Sequence, residues 1–305
     1  MADPATKVAR GVKTSGATFR RALGRVSDPA KAALLRLTDD AATLNRITKA
    51  WEHGEISTRE LGRVLVRYNG LDAADQRAFG RTVRVGGDEA VEGAAKLDDA
   101  GFQTVMQADV GVSARAKTFR EYASIEEGQE LFETFLVDDE LGSQWLRVVS
   151  DPETNTDGIE RALRRAEAEL GGDTAMEIGG FVTAREMNNQ FPADWDNPFT
   201  PGSVVTRFRT TGDVNFVRVH TDGNQNGRFL MRQSDIEGLT PTELKNKFSL
   251  PYKPKYVSDV TVPEGTWINM GTVKSNFGGD RGAKQFNLGK RLDERFFTNR
   301  RLLEE

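Results

Sequence analysis

The hydrophobic pattern of this chain changes period once, and that change limits what it can fold into. From Pro29 to Gly171 the apolar side chains recur at helical spacing, and beyond Gly202 they alternate in short β-branched runs. Helices collected first and strands after them read as α+β: a helical N-terminal region followed by a small, mainly β, α+β domain. The stretch between, Asn188 to Gly202, is rich in turn formers and predicts a boundary at about 190 to 202. The expected organisation is a basic arm over 1–28, a helical domain over 29–190 and a terminal domain over 203–305. A length of 305 residues accommodates two domains.

Local signals place the elements. Asp28-Pro29 starts a helix predicted over 29–52, with Pro29 in the first turn and Gly54 as the stop. Ser57 and Glu60 form a capping box for a helix that ends at Asn69-Gly70. Further helices are predicted at 72–83, 87–108, 124–137 (a second box, Ser124 with Glu127) and 157–170. Strands are predicted at Val204–Arg209, Asn215–His220, Arg228–Met231, Tyr256–Val262, Trp267–Val273 and Lys284–Leu288, with one short helix opened by Thr240-Pro241.

Composition excludes several chemistries. Zero cysteines remove disulfides, thiolate catalysis and cysteine-bound metals. Histidine occurs only at His53 and His220, so no metal site is expected from nitrogen ligands, while an oxygen-ligand site for a hard cation stays open. No apolar run is long enough to span a membrane, and a soluble protein is expected. The first twenty-five residues lack an apolar stretch, so no Sec signal is expected and any export or virion delivery would use another route. Residues 1–37 carry eight Lys/Arg against two Asp/Glu, 38–202 seventeen against thirty-two, and 203–305 seventeen against twelve. Such asymmetry suggests an acidic body that either simply keeps the chain soluble or shields or docks a basic terminal domain, and on the second reading a fragment from about Gly202 folds alone. The basic arm is either a solvated tail or a surface for nucleic acid or acidic membrane.

Two constellations carry candidate chemistry. Strand alternation puts Arg218 and His220 on one face, beside Arg228 across the Asp222–Gly227 loop, an arrangement suited to phosphate oxygens. The second is Asn276-Phe277-Gly278-Gly279-Asp280-Arg281-Gly282-Ala283-Lys284-Gln285-Phe286, whose glycines let backbone approach a ligand closely or simply shape a hairpin. In addition, Leu250-Pro251-Tyr252 presents an aromatic ring on a stiffened segment, for stacking or for packing.

This ordered series, Gly227-Arg228-Phe229-Leu230, Leu250-Pro251-Tyr252, Val262-Pro263-Glu264-Gly265-Thr266 and the glycine-rich segment ending in Gln285-Phe286, resembles the C-terminal domains of polymorphic and contact-dependent toxins. It is most similar to the necrotizing-toxin NAD-glycohydrolases, over about residues 203–303. Asp280 and Arg281 interrupt a stretch that is more uniformly glycine in that family. The resemblance implies Gln285 and Arg228 as catalytic residues, and Arg218, His220, Tyr252, Phe277, Gly278 and Gly279 as binders of NAD or NADP. The nucleotide would be substrate, so no separate cofactor is expected. It further implies an acidic immunity protein as partner, and a delivery or virion-assembly partner for the helical region. The residues leave two alternatives open: a toxin-type ribonuclease using His220, which alone would bring nucleic acid as partner, or a non-enzymatic structural, virion or surface protein. The motifs of P-loop, Rossmann, H-E-x-x-H and G-x-S-x-G enzymes are absent, as are two of the three elements an ADP-ribosyltransferase needs.

Overall fold

The computed structural model describes residues 25–37, 40–171 and 175–304. Helices fill the N-terminal half and sheets the C-terminal part, so the chain is α+β. Most of the expected basic arm lies outside the described residues. Chain contacts divide the molecule into two compact units, Met1–Ser150 and Asp151–Glu305.

The first unit is helical: α1 (Asp28–Leu37), α2 (Ala41–Glu52), α3 (Thr58–Gly70), α4 (Ala73–Lys96), α5 (Asp99–Gln107), α6 (Val112–Ser124), α7 (Gln129–Val137) and α8 (Gly142–Ser150). The predicted 29–52 helix is two helices, because the Asp40 carboxylate accepts from the Thr43 amide and caps a new start. The Ser57–Glu60 capping box forms as predicted. The second predicted box does not: Ser124 ends α6, its hydroxyl donating to the Arg120 carbonyl, and the next helix starts at Gln129. A chain of aromatic contacts, Tyr68–Phe79, Phe79–Phe102 and Phe102–Phe119, runs through the core at centroid separations of 5.9–6.0 Å. No helix among the described residues is long and apolar enough to cross a membrane.

The second unit starts with helix α9 (Thr156–Leu170), followed by β1 (Met176–Thr183) and α10 (Ala184–Asn188). It continues with β2 (Val204–Thr210), β3 (Val214–His220), β4 (Phe229–Leu230), α11 (Gln233–Ile236), α12 (Pro241–Lys247), β5 (Tyr256–Val262), β6 (Trp267–Thr272), β7 (Lys284–Leu288) and β8 (Phe297–Leu302). The strands form an antiparallel sheet of order β1-β2-β6-β7-β4 and a second of order β3-β5-β8, joined by a bridge between Val217 and Met231. Phe208, Phe216, Leu230, Val260, Ile268 and Phe286 share one buried cluster drawn from both sheets, with the Phe216 and Phe286 rings edge to face at 4.9 Å.

The expected boundary at 190–202 therefore falls inside the second unit. Strand β1 pairs with β2 along its length, and α9 is fixed to the sheet by buried charge. The Glu169 carboxylate accepts from Arg232 and from Lys284, each at 2.7 Å, and the Arg232 guanidinium lies 4.2 Å above the Phe216 ring. Arg165 on the same helix donates to the Gly282 carbonyl at 2.6 Å and to Thr272 at 3.0 Å. Burial, reinforced by Arg161, holds the Arg165 guanidinium down to about 10. Counted on these units, the charge asymmetry vanishes: each carries twenty-one Lys/Arg and twenty-three Asp/Glu. The basic character expected for residues 203–305 is balanced by acids on α9, β1 and the following loop.

Candidate functional site

Burial fixes the first group. Arg218 on β3 is only 8% exposed, and among the described residues its guanidinium meets no carboxylate. Instead Nε donates to the Gln225 carbonyl at 3.0 Å, Nη1 to Phe229 at 2.9 Å and Nη2 to Asn224 at 3.2 Å. A side chain at Gly227 would sit 2.1 Å from that guanidinium, which is why the loop needs glycine there. Burial first, and the nearby Arg291 second, bring the Arg218 guanidinium down to about 10. Arg218 thus holds the 224–229 loop in place. Its forks are committed to backbone, so none is left for the bidentate grip on phosphate that the sequence suggested.

His220, two residues along, is buried as well. Nδ1 lies 2.9 Å from the Thr221 carbonyl, which can only accept, so Nδ1 carries the proton and Nε2 accepts from the Ser258 hydroxyl at 3.0 Å. Burial, with Arg218 and Arg300 adding to it, lowers its proton affinity below the ordinary histidine value. The ring stacks on Tyr256 at 5.7 Å. Neither nitrogen is left for a substrate proton.

The loop that Arg218 pins delivers Arg228. This residue is half-buried, with its guanidinium 5.3 Å from the Phe191 ring, and among the described residues no hydrogen-bond or ion-pair partner meets it. Strand β7 delivers Gln285. Phe286 and Leu288 enter the main core, so the alternation of the strand turns Gln285 to the opposite face, where it is 5% exposed and forms no side-chain hydrogen bond among the described residues.

These side chains converge. One cavity of about 540 Å³ is lined by Arg218, His220, Arg228, Gln285, Tyr252 and Phe277 together. That volume is in the range of small-molecule sites. Tyr252, 69% exposed, stands with the exposed Phe277 and Trp195 as apolar ring surface at its edge. Gly278 and Gly279 do not line it. Gly278 takes a positive φ of 73° in the turn after Phe277, and a side chain at Gly279 would lie 2.7 Å from the Ser249 hydroxyl. They shape the loop that carries Phe277, and Ser249 staples it by donating to the Asp280 carbonyl at 2.6 Å.

Sequence reasoning missed Trp195, Asp194, Asp196, Phe229, Lys274 and Arg291, all of which line the cavity. Residues 194–198 read as linker because turn formers dominate there. The overlooked signal is Phe191 and Trp195 within that polar stretch. Phe191 is buried, stacking on Phe229 at 5.9 Å, and so carries the Trp195 loop onto the site.

Comparison of the chain with protein-family models, with curated proteins and with solved structures gave no significant match.

Proposed function

We propose that the second unit is a toxin-type NAD(P) glycohydrolase, releasing nicotinamide from a bound dinucleotide. The observation that carries this reading is Gln285, buried and without a protein partner, facing the same cavity as the unpaired Arg228 beneath a rim of exposed aromatic rings. Planar bases stack on aromatic faces, and a free guanidinium donates two parallel hydrogen bonds to phosphate. In the reaction the bond between ribose C1′ and the nicotinamide nitrogen breaks, its electron pair neutralising the pyridinium ring. Water adds to the oxocarbenium-like C1′ and gives up a proton, by analogy with glycoside hydrolysis. Gln285 takes no proton at neutral pH; its carboxamide orients a ribose hydroxyl or the nicotinamide amide. The proton that the water gives up passes to solvent.

His220 weighs against the ribonuclease alternative, because both of its nitrogens are engaged within the fold. In our reading the helical unit serves delivery or assembly, and an acidic immunity protein covers the cations at the cavity. The test incubates purified protein separately with NAD, NADP and total RNA. Nicotinamide release that disappears in Arg228→Ala supports the proposal. RNA cleavage without nicotinamide release, or neither activity, overturns it.

A further inference from the structure

Resting on the reading of the cavity as a dinucleotide site, we infer that it is built for a 2′-phosphorylated dinucleotide, NADP in preference to NAD, with Lys274 receiving the extra phosphate. The argument is one of charge and position. Four cations line the cavity, Arg218, Arg228, Lys274 and Arg291, against two carboxylates, Asp194 and Asp196. Arg218 is spent on loop carbonyls. Among the described residues the other three have no ion-pair or side-chain hydrogen-bond partner, although two of them, Arg228 and Lys274, are half-buried. Removing a cation from water without a counterion is costly, so a site that keeps two such groups fits a multiply charged anion.

The three lie in two places. The Leu288 amide donates to the Arg228 carbonyl at 2.8 Å, and Arg291 follows Leu288 by three residues, so Arg228 and Arg291 share one end of β7. Lys274 lies elsewhere: its amide donates to the Pro198 carbonyl at 2.9 Å, on the side of the Trp195 loop. A pyrophosphate is a single compact dianion and satisfies the arginine pair. Lys274 is then left without a counterion unless the ligand carries a second, separate phosphate. Its place beside the Trp195 loop suits a phosphate on the ribose next to a stacked base.

The test is a binding titration and needs no turnover. Full-length protein is titrated at low salt with ADP-ribose and with 2′-phospho-ADP-ribose, as wild type, Lys274→Ala and Lys274→Arg. Wild type should bind the phosphorylated compound about tenfold more tightly or better, the value of one charge-assisted hydrogen bond at a half-buried site. Lys274→Ala should bring the two affinities together by weakening only the phosphorylated compound, and Lys274→Arg should restore the preference. Equal affinities in wild type overturn the inference while leaving the dinucleotide reading in place, as does a preference that survives Lys274→Ala. No binding of either compound overturns both.

Discussion

Replacing Glu169 by Ala tests whether α9 is an integral part of the second unit. The Glu169 side chain is 6% exposed, and its partners Arg232 and Lys284 are 14% and 20% exposed, so all three charges sit largely out of water. Deleting one member of a buried ion pair leaves uncompensated charge and costs about 3–5 kcal/mol. Part of this is retained, since Lys284 also lies 3.5 Å from Asp235 and Arg232 keeps its contact with the Phe216 ring, which favours the lower half of that range. For a unit of this size the cost corresponds to a melting point lower by roughly 6–16 °C. Native-state hydrogen exchange on peptides covering 284–288 reads the second unit directly, whatever the helical unit does. The protection of β7 should fall by the same free energy in Glu169→Ala, and by less in Glu169→Gln, which keeps acceptor geometry and loses charge. A loss below about 1 kcal/mol in the alanine variant would show that water screens the network, and that α9 is not fixed in this way.

A fragment covering Asp151–Glu305 should fold alone with a cooperative melt, whereas one covering 203–305 should not, because it lacks β1, Glu169 and Phe199; circular dichroism melts of the two decide it. The stability of the second unit should fall as pH drops below about 6.5, the ordinary histidine value. The folded His220 resists protonation, so the unfolded chain binds more protons in that window and stability is lost as pH falls from the unfolded value through the lowered folded one. Asp222 and Asp259 are held below their ordinary value and act only at lower pH, so His220→Gln should flatten the profile just below the ordinary histidine value and leave the acid limb unchanged.

Much of the second unit was legible because its strands are short β-branched and aromatic runs bounded by turn formers, a signal that persists where both faces are buried. The six predicted strands and the Thr240 helix appear within a residue or two of their expected limits. Strand β1 was hidden by its own composition: Gly179 and Gly180 interrupt the β-branched signal, and the strand follows directly on a strong helix. The boundary error has the same origin, since turn formers at 188–202 signal a break in local structure and carry no information about the long-range pairing of β1 with β2. Arg228 and Gln285 were singled out through motif order, and both line the one cavity. The roles of Arg218 and His220 were misread because alternation says which face a side chain takes. It does not say whether nearby carbonyls or a serine will use up its donors. Lys274 and Arg291 carried no motif and needed the three-dimensional cavity to be seen.

Gln285 separates a structural amide from a functional one. A buried carboxamide without partners costs about 1–3 kcal/mol relative to a residue that needs none, less where cavity water reaches it. A core position under selection for stability alone would hold an apolar side chain there, as Phe286 and Leu288 do on the other face of the same strand. Gln285→Leu, close in volume, is therefore expected to leave the unit as stable as wild type or up to about 1 kcal/mol more stable. Nicotinamide release should drop by orders of magnitude, because the lost contacts are those made to the reacting ribose or amide. Denaturant midpoints measured beside turnover on the same preparations give both readings. If the leucine variant loses more than about 1 kcal/mol, the amide has a structural partner and its free state in the cavity is wrong. If it is stable and turns over normally, Gln285 contributes nothing to the chemistry, and the catalytic assignment fails with it.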